Sequence, residues 1–453
     1  MIDLTSALAR FASDPPFAAV PPAAAGIVRS GFIDTTATMI AGRAEPVVRI
    51  LREHLGERVG ERGESAVIFG GGRAAAADAA LINGTAGHAL DYDDVALGGH
   101  PSTVLVPALL AEGEALAASG ADIMRAYLVG YEVWAELIGR DADPHHEKGW
   151  HPTAVFGSVG AAAAIACLRR LPFDLTRHAI ALSASMASGV VANFGTMTKP
   201  LHAGRAASAG IEAARLAMRG MTAALDAIEH HAGFLRAISP AGRLDLERPV
   251  QGLGYQLRIE DAGLSIKKYP MCYATHRVID GVLDAAQRED LRANEVAAVR
   301  AQIGKTQASM LRNHAPQTGL EAKFSLEFAV ASALVARQVG LQELTDGFVR
   351  QSQIQDTMKK VSTATIDTTC PIEPMFAFAD RVRIELTDGR QIDTGDIRFA
   401  RGNAKLPLSS DELERKFADC ATGFRDADAQ RIYVQLAALE SVADVRTLSI
   451  AHR

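Results

Sequence analysis

The sequence reads as mainly α: a large all-α helical domain carrying a smaller α+β domain. Three observations predict this. Apolar residues recur at three- and four-residue spacing from Leu4 to about Ala237. Strand-like alternation appears only beyond about Asp261. A length of 453 residues exceeds what one hydrophobic core ordinarily fills, so two domains are expected.

In chain order, the periodic segments predict helices near 23–42, 74–90, 101–118, 121–140, 153–170, 174–190 and 200–219, separated by Gly, Pro and Asp. The pattern then changes. Gly263–Lys267 reads as a short strand and Val296–Ile303 as a second. Val382–Ile392 reads as a hairpin around Asp388-Gly389. Helices are expected near 274–287, 320–338 and 354–361, and again over Ser409–Cys420 and Asp426–Leu439. The expected division is 1–262 with 405–453 as a discontinuous helical domain, and 263–404 as the α+β domain.

Hydrophobic residues make up 48% and charged residues 22%, the balance of a soluble globular protein. A formal charge of −6 without any long basic run argues against nucleic acid as a partner. The apolar stretches Ala154–Cys167 and Ala179–Ala192 are too short or too rich in Ser to span a bilayer, and read as buried helices. Met1-Ile2-Asp3-Leu4-Thr5 lacks the features of a signal peptide. Cys167, Cys272, Cys370 and Cys420 are scattered with no C-x-x-C pair. They read as free thiols of a cytoplasmic protein.

At four places a basic residue stands at or near a proline able to open a helix: His100-Pro101, His151-Pro152, Lys199-Pro200 and Lys267-Lys268-Tyr269-Pro270. Helix starts favour small oxygen-bearing caps, and the helix dipole disfavours a cation there. A bound anion would reconcile the two.

Each stretch carries further chemistry. In Asn83–Asp94, helical spacing would put His88 and Asp91 on one face, and Asp91 and Asp94 likewise, with a carboxylate orienting an imidazole. The rival reading is a metal site on Asp91, Asp94 and His100, but no H-E-x-x-H pair accompanies it, so metal is expected to be none. Around His145-His146-Glu147-Lys148-Gly149-Trp150-His151, Trp150 could desolvate His151 and tune it, while His145 and His146 read as surface residues. In Gly195–Arg205, Lys199, His202 and Arg205 could form one cationic corner for a carboxylate. The stretch Ile266–Arg277 offers Lys268, Tyr273 and His276 as substrate contacts, and a Cys272–His276 pair four residues apart.

Together, N-G-T-x-x-H-x-L-D-Y-D-D, G-H-P-S, G-W-H-P-T, T-K-P-L-H-x-G-x-A (Thr198–Ala206) and I-K-x-Y-P…T-H-x-x-I-D (ending at Asp280) resemble the MmgE/PrpD family. Its members include 2-methylcitrate dehydratase, cis-aconitate decarboxylase and iminodisuccinate epimerase. The resemblance implies a homodimer with its site in the cleft between an all-α and an α+β domain, and neither metal nor organic cofactor. It implies catalytic roles for Asp91, His100, His151, Lys199 and Lys267. Two residues depart from the decarboxylase pattern: Val95 stands for a Thr, and Phe328 for a Tyr. The H-P-S-D-N run of the dehydratase is also missing, since Thr103-Val104 follows His100-Pro101-Ser102.

All these reactions build electron density on a carbon beside a carboxylate, which cations must stabilise while imidazoles move protons. The expectation is a cofactor-independent isomerase or lyase acting on a small di- or tricarboxylate, leaning to an iminodisuccinate-type epimerase. The alternatives are a 2-methylcitrate- or citrate-type dehydratase, a cis-aconitate-type decarboxylase, and, outside enzymes, a polycarboxylate-binding protein.

Overall fold

The computed structural model describes residues 3–68, 72–250 and 252–449; Met1, Ile2 and the last four residues of the expected helical domain lie outside it. The chain forms two compact units, residues 1–266 with 409–453 and residues 267–408.

The first unit is helical. Its longer helices before the second unit are α1 (Leu4–Ser13), α2 (Pro22–Gly42), α3 (Pro46–Leu55), α4 (Ala76–His88), α5 (Ser102–Leu116), α6 (Gly120–Ile138), α7 (Pro152–Leu168), α8 (Phe173–Met186) and α9 (Thr198–Met218). All residues of α7 are buried, so this Ala- and Gly-rich helix has no solvent face, and α6, α8 and α9 pack around it. Small residues let the backbones approach closely. A Cβ on Gly204 of α9 would lie 2.1 Å from the Leu81 carbonyl oxygen of α4, and one on Gly84 would lie 2.9 Å from the Gly204 Cα. These two helices run antiparallel in contact, which brings the end of α4 to the start of α9. Among the described residues, no helix is long and apolar enough to cross a membrane.

The second unit holds α10 (His276–Arg288) and α11 (Leu326–Val335) against a four-stranded sheet, and α12 (Ser352–Met358) packs on α11. Its strands are β1 (Val296–Gly304), β2 (Val361–Ile366), β3 (Arg381–Leu386) and β4 (Gln391–Asp393), in the order β2-β1-β3-β4. β1 and β2 are parallel with Val299 opposite Val361, which requires the helical crossover between them. β1–β3 and β3–β4 are antiparallel, with Val299 opposite Ile384 and Ile384 opposite Ile392. Val278, Ile279 and Val282 of α10 share a core with Val299, Ile303, Val382 and Ile384 of the sheet. Two further helices, α13 (Ser410–Cys420) and α14 (Asp426–Ala437), belong to the first unit.

Several elements differ from expectation. Gly263–Lys267 is no strand: Ser265 alone makes a backbone bridge, to Val95. The helix expected over 320–338 breaks at Ser325, whose hydroxyl accepts the Phe328 N–H and starts α11 anew. The helix expected to reach 361 stops at Met358, and Val361–Ile366 becomes a largely exposed edge strand whose alternation is too weak to read.

Candidate active site

The helix α4 ends at His88, and three residues later Asp91 adopts φ +53°, in the left-handed region that Asp tolerates better than most non-glycine residues. The chain thus leaves the helix before Asp91, so His88 and Asp91 do not share a helical face as the spacing suggested. Lys199, in the first turn of α9, donates a hydrogen bond of 2.6 Å from Nζ to Asp91 Oδ1. A cation at a helix start needs nearby negative charge, and here Asp91 supplies it.

Asp93, not Asp91, orients the buried imidazole of α4. His88 Nδ1 donates to Asp93 Oδ1 at 2.9 Å. His100 Nδ1 stands 3.0 Å from Asp93 Oδ2, at an angle short of a good hydrogen bond. The other ring nitrogen of His100, Nε2, lies 3.9 Å from Asp91 Oδ1. The rings of His88 and His100 are 4.4 Å apart, and those of His88 and His151 are 6.0 Å apart.

His151 caps α7 just before Pro152, the one basic residue of the four that occupies the helix cap as expected. Its Nδ1 is 3.1 Å from Nδ1 of His202, so one of these imidazoles carries its proton on that atom. The aromatic wall against His151 is Phe194 rather than the expected Trp150; its ring meets His151 edge-on at 4.8 Å and lies 5.5 Å from the Lys199 ammonium. Lys199 and Pro200 lie inside the first turn of α9, which starts at Thr198. No helix starts at Pro270: a 3₁₀ turn at Tyr273–Thr275 leads into the α-helix that opens at His276.

Burial pushes His151 far below the ordinary imidazole range, and the neighbouring cationic groups add to that, so it is neutral at physiological pH. Burial also takes His88 down to about 4 despite the opposing carboxylate of Asp93. Burial alone would raise Asp93, but His88 and His100 outweigh it and hold the carboxyl well below its usual range. Asp94 behaves in the opposite way. Burial, then Asp34 and Asp93, push it well above the usual range. It accepts a 2.8 Å hydrogen bond from Ser102, which contacts Tyr127 at 2.7 Å. Asp94 therefore belongs to a buried network behind the cluster and is not a partner of Asp91 and His100.

The first unit thus brings together Asp91, His100, His151, Lys199 and His202. Arg205 is exposed and does not complete the cationic corner. Lys267, Lys268, Tyr273 and His276 belong to the second unit. Lys267 and His276 are buried and Lys268 is half-buried. The Tyr273 hydroxyl accepts a 2.9 Å hydrogen bond from Asn403, and the His276 ring packs against Tyr269 and Tyr273. His276 Nε2 is directed to the Met271 carbonyl at 3.4 Å. Sequence reasoning missed Asp93 and Phe194. The three aspartates of D-Y-D-D give no signal of which one turns inward, and Phe194 sits in a segment without periodicity.

His88, Asp91, Asp93 and His100 offer four possible ligand atoms within 4.8 Å of one another. Both carboxylates of this group have partners among the side chains, Lys199 for Asp91 and His88 for Asp93.

The MmgE/PrpD N-terminal domain matches residues 6–247 and the MmgE/PrpD C-terminal domain matches residues 269–440. The chain belongs to the MmgE/PrpD family. It is an enzyme of that family. A human cis-aconitate decarboxylase is 28% identical over 385 residues, covering 82% of this chain and 78% of the relative. The mouse cis-aconitate decarboxylase is 28% identical over 391 residues, with 83% and 77% covered. A cis-aconitate decarboxylase-like protein of Aspergillus oryzae is 26% identical over 400 residues, with 82% and 81% covered. These similarities favour the lyase alternative and give no support to the epimerase reading, which is set aside.

Proposed function

We propose that this enzyme is a lyase that cleaves at the carbon beside a carboxylate of a small tricarboxylate, with decarboxylation of a cis-aconitate-type substrate as its reaction. The carrying observation is the cluster of an ammonium, a carboxylate and two imidazoles, Lys199, Asp91, His100 and His151, gathered from four separate segments. Loss of CO₂ breaks a C–C bond and leaves its electron pair on carbon. That charge spreads into the neighbouring unsaturated carboxylate and is quenched by one proton. Lys199 supplies positive charge beside the developing anion. His151, neutral and walled by Phe194, is suited to a hydrogen bond rather than to storing a proton. His100, partly exposed and facing Asp91, is the better carrier of the proton. The family motif also suggests Lys267 as a second cation for the substrate's carboxylates.

The names of the relatives support this reading, and so does the motif match at Asp91, His100, His151 and Lys199. Val95, apolar and four residues past Asp91, favours a second reading: dehydration of a 2-hydroxytricarboxylate by the same groups. The test is incubation of the purified enzyme with cis-aconitate and, separately, with citrate and 2-methylcitrate. Release of CO₂ from cis-aconitate supports decarboxylation, and water loss from a hydroxy acid alone supports dehydration. Turnover of none, with carboxylate binding intact, contradicts both. Lys267→Met is expected to raise KM about tenfold or more while changing kcat less; an unchanged KM removes Lys267 from the scheme.

A further inference from the structure

Asp93 is fully buried and, among the described residues, is the one carboxylate within 3.0 Å of two imidazoles of the cluster. Both of its oxygens lie within 3.0 Å of His88 Nδ1, and Oδ2 is also 3.0 Å from His100 Nδ1. His100 is partly accessible, whereas His88 is sealed. The opposite nitrogen of His100 faces Asp91, whose carboxylate holds Lys199.

An ionised carboxylate accepts hydrogen bonds and cannot donate them. Any imidazole nitrogen set against Asp93 therefore carries hydrogen. For the neutral His100 ring this places hydrogen on Nδ1 and leaves Nε2, 3.9 Å from Asp91 Oδ1 and beyond hydrogen-bond reach of it, free to exchange a proton. His100 approaches Asp93 closely but too bent for a good hydrogen bond, as is common for catalytic contacts before substrate binds. The neighbouring Asp94 is a built-in contrast. It is equally buried and one residue away, but it faces Ser102 and touches neither histidine in the contacts described above.

We propose that Asp93 is a positioning residue: it gathers the Nδ1 atoms of His88 and His100 on one carboxylate, so that Nε2 of His100 is the atom that takes a proton from solvent and delivers it to the substrate carbanion. The proposal rests on the reading that His100 moves the proton in the reaction. His88 serves as a buttress that consumes part of Asp93's accepting capacity and keeps the carboxylate from rotating. Asp93 itself touches no substrate.

The test joins kinetics to a direct view of the tautomer. Nitrogen-15 NMR of histidine-labelled enzyme at alkaline pH, with the His100 signals assigned by their loss in His100→Gln, is expected to show hydrogen on Nδ1. In Asp93→Asn the amide can also donate, and the His100 tautomer is expected to change. In that variant kcat falls about 10²- to 10⁴-fold with KM changed little, the upper figure being that of a protease aspartate in the same relation to its histidine. Asp93→Glu is expected to restore the tautomer and part of kcat. Asp94→Asn is expected to keep the wild-type tautomer. Hydrogen on Nε2 of His100 in the wild type overturns the proposal. So does an Asp93→Asn enzyme with unchanged kcat. If Asp93→Asn fails to fold, the wild-type spectrum and Asp93→Glu decide. If the wild type turns over no tricarboxylate, the function proposed above falls, while the tautomer still decides whether Asp93 positions His100.

Discussion

At the scale of single residues, the cluster is governed by where charge is allowed to reside. Asp91 reaches Lys199 because its backbone turns left-handed just past α4. Asp93 remains ionised in a fully buried place because two imidazoles face it. Asp94, lacking such partners, is pushed towards its neutral form. The neighbouring histidines carry a cost on acidification. Burial, with His100, His145 and Lys199 adding to it, lowers His146 to about 4. The unfolded chain therefore takes up a proton on His146 near pH 6.5, and the folded enzyme does so only near pH 4. Stability tied to this group is complete above the unfolded value and is lost as pH falls towards 4, by about 2 kcal/mol at pH 5. Buried acids with raised values, such as Asp34 at about 6, oppose this trend. A single variant separates them. The drop in melting temperature between pH 7.5 and about pH 5 is expected to be smaller in His146→Gln than in the wild type. An identical drop in both would mean that His146 is not desolvated in solution.

At the scale of elements, the meeting of α4 with α9 decides whether the residue cluster exists at all. The two helices touch through Gly84 and Gly204, and the same antiparallel contact carries Asp91 to Lys199. Gly204→Ala places a methyl group 2.1 Å from the Leu81 carbonyl oxygen, so the helices must separate. The expected loss is about 1–3 kcal/mol or more by denaturant unfolding, together with reduced activity. A stable and fully active Gly204→Ala enzyme would show that the close contact is dispensable. Some helices of this unit were legible from periodicity because a buried stripe constrains every third or fourth residue, as in α8, where Thr176, Ala179, Ile180 and Ser183 are buried. The hairpin of β3 and β4 was legible because Asp388-Gly389 sets its turn, with Gly389 at φ +87°. Strand β2 was not, since a largely exposed edge strand bears no strict pattern. Nor was the break before α11, which depends on one capping hydroxyl.

At the scale of the whole molecule, motif order carried more than any local pattern. Asp91, His100, His151 and Lys199 could be named from short motifs because each stands beside a proline or within an unusual polar run. What joins them depends on distances across the fold, which no spacing in the chain encodes. Thus His88 was paired with Asp91 by helical arithmetic, whereas the folded chain pairs it with Asp93. Arg205 was placed in a cationic corner by the same arithmetic and lies exposed. The corner itself is less positive than its sequence suggested, because Asp91 occupies the Lys199 ammonium. In the proposed reaction substrate shares Lys199 with that carboxylate, so activity is expected to depend on Lys199 more than on overall positive charge.

The most direct measurement is carbon-13 NMR of labelled cis-aconitate with the wild type and Lys199→Met in D₂O. The wild type is expected to release CO₂ and form a five-carbon unsaturated dicarboxylate carrying solvent deuterium at carbon. Lys199→Met, folded by circular dichroism, is expected to be slower by a factor on the order of 10² to 10³. Equal rates in the two proteins would contradict the account that the cluster around Lys199 stabilises the carbanion.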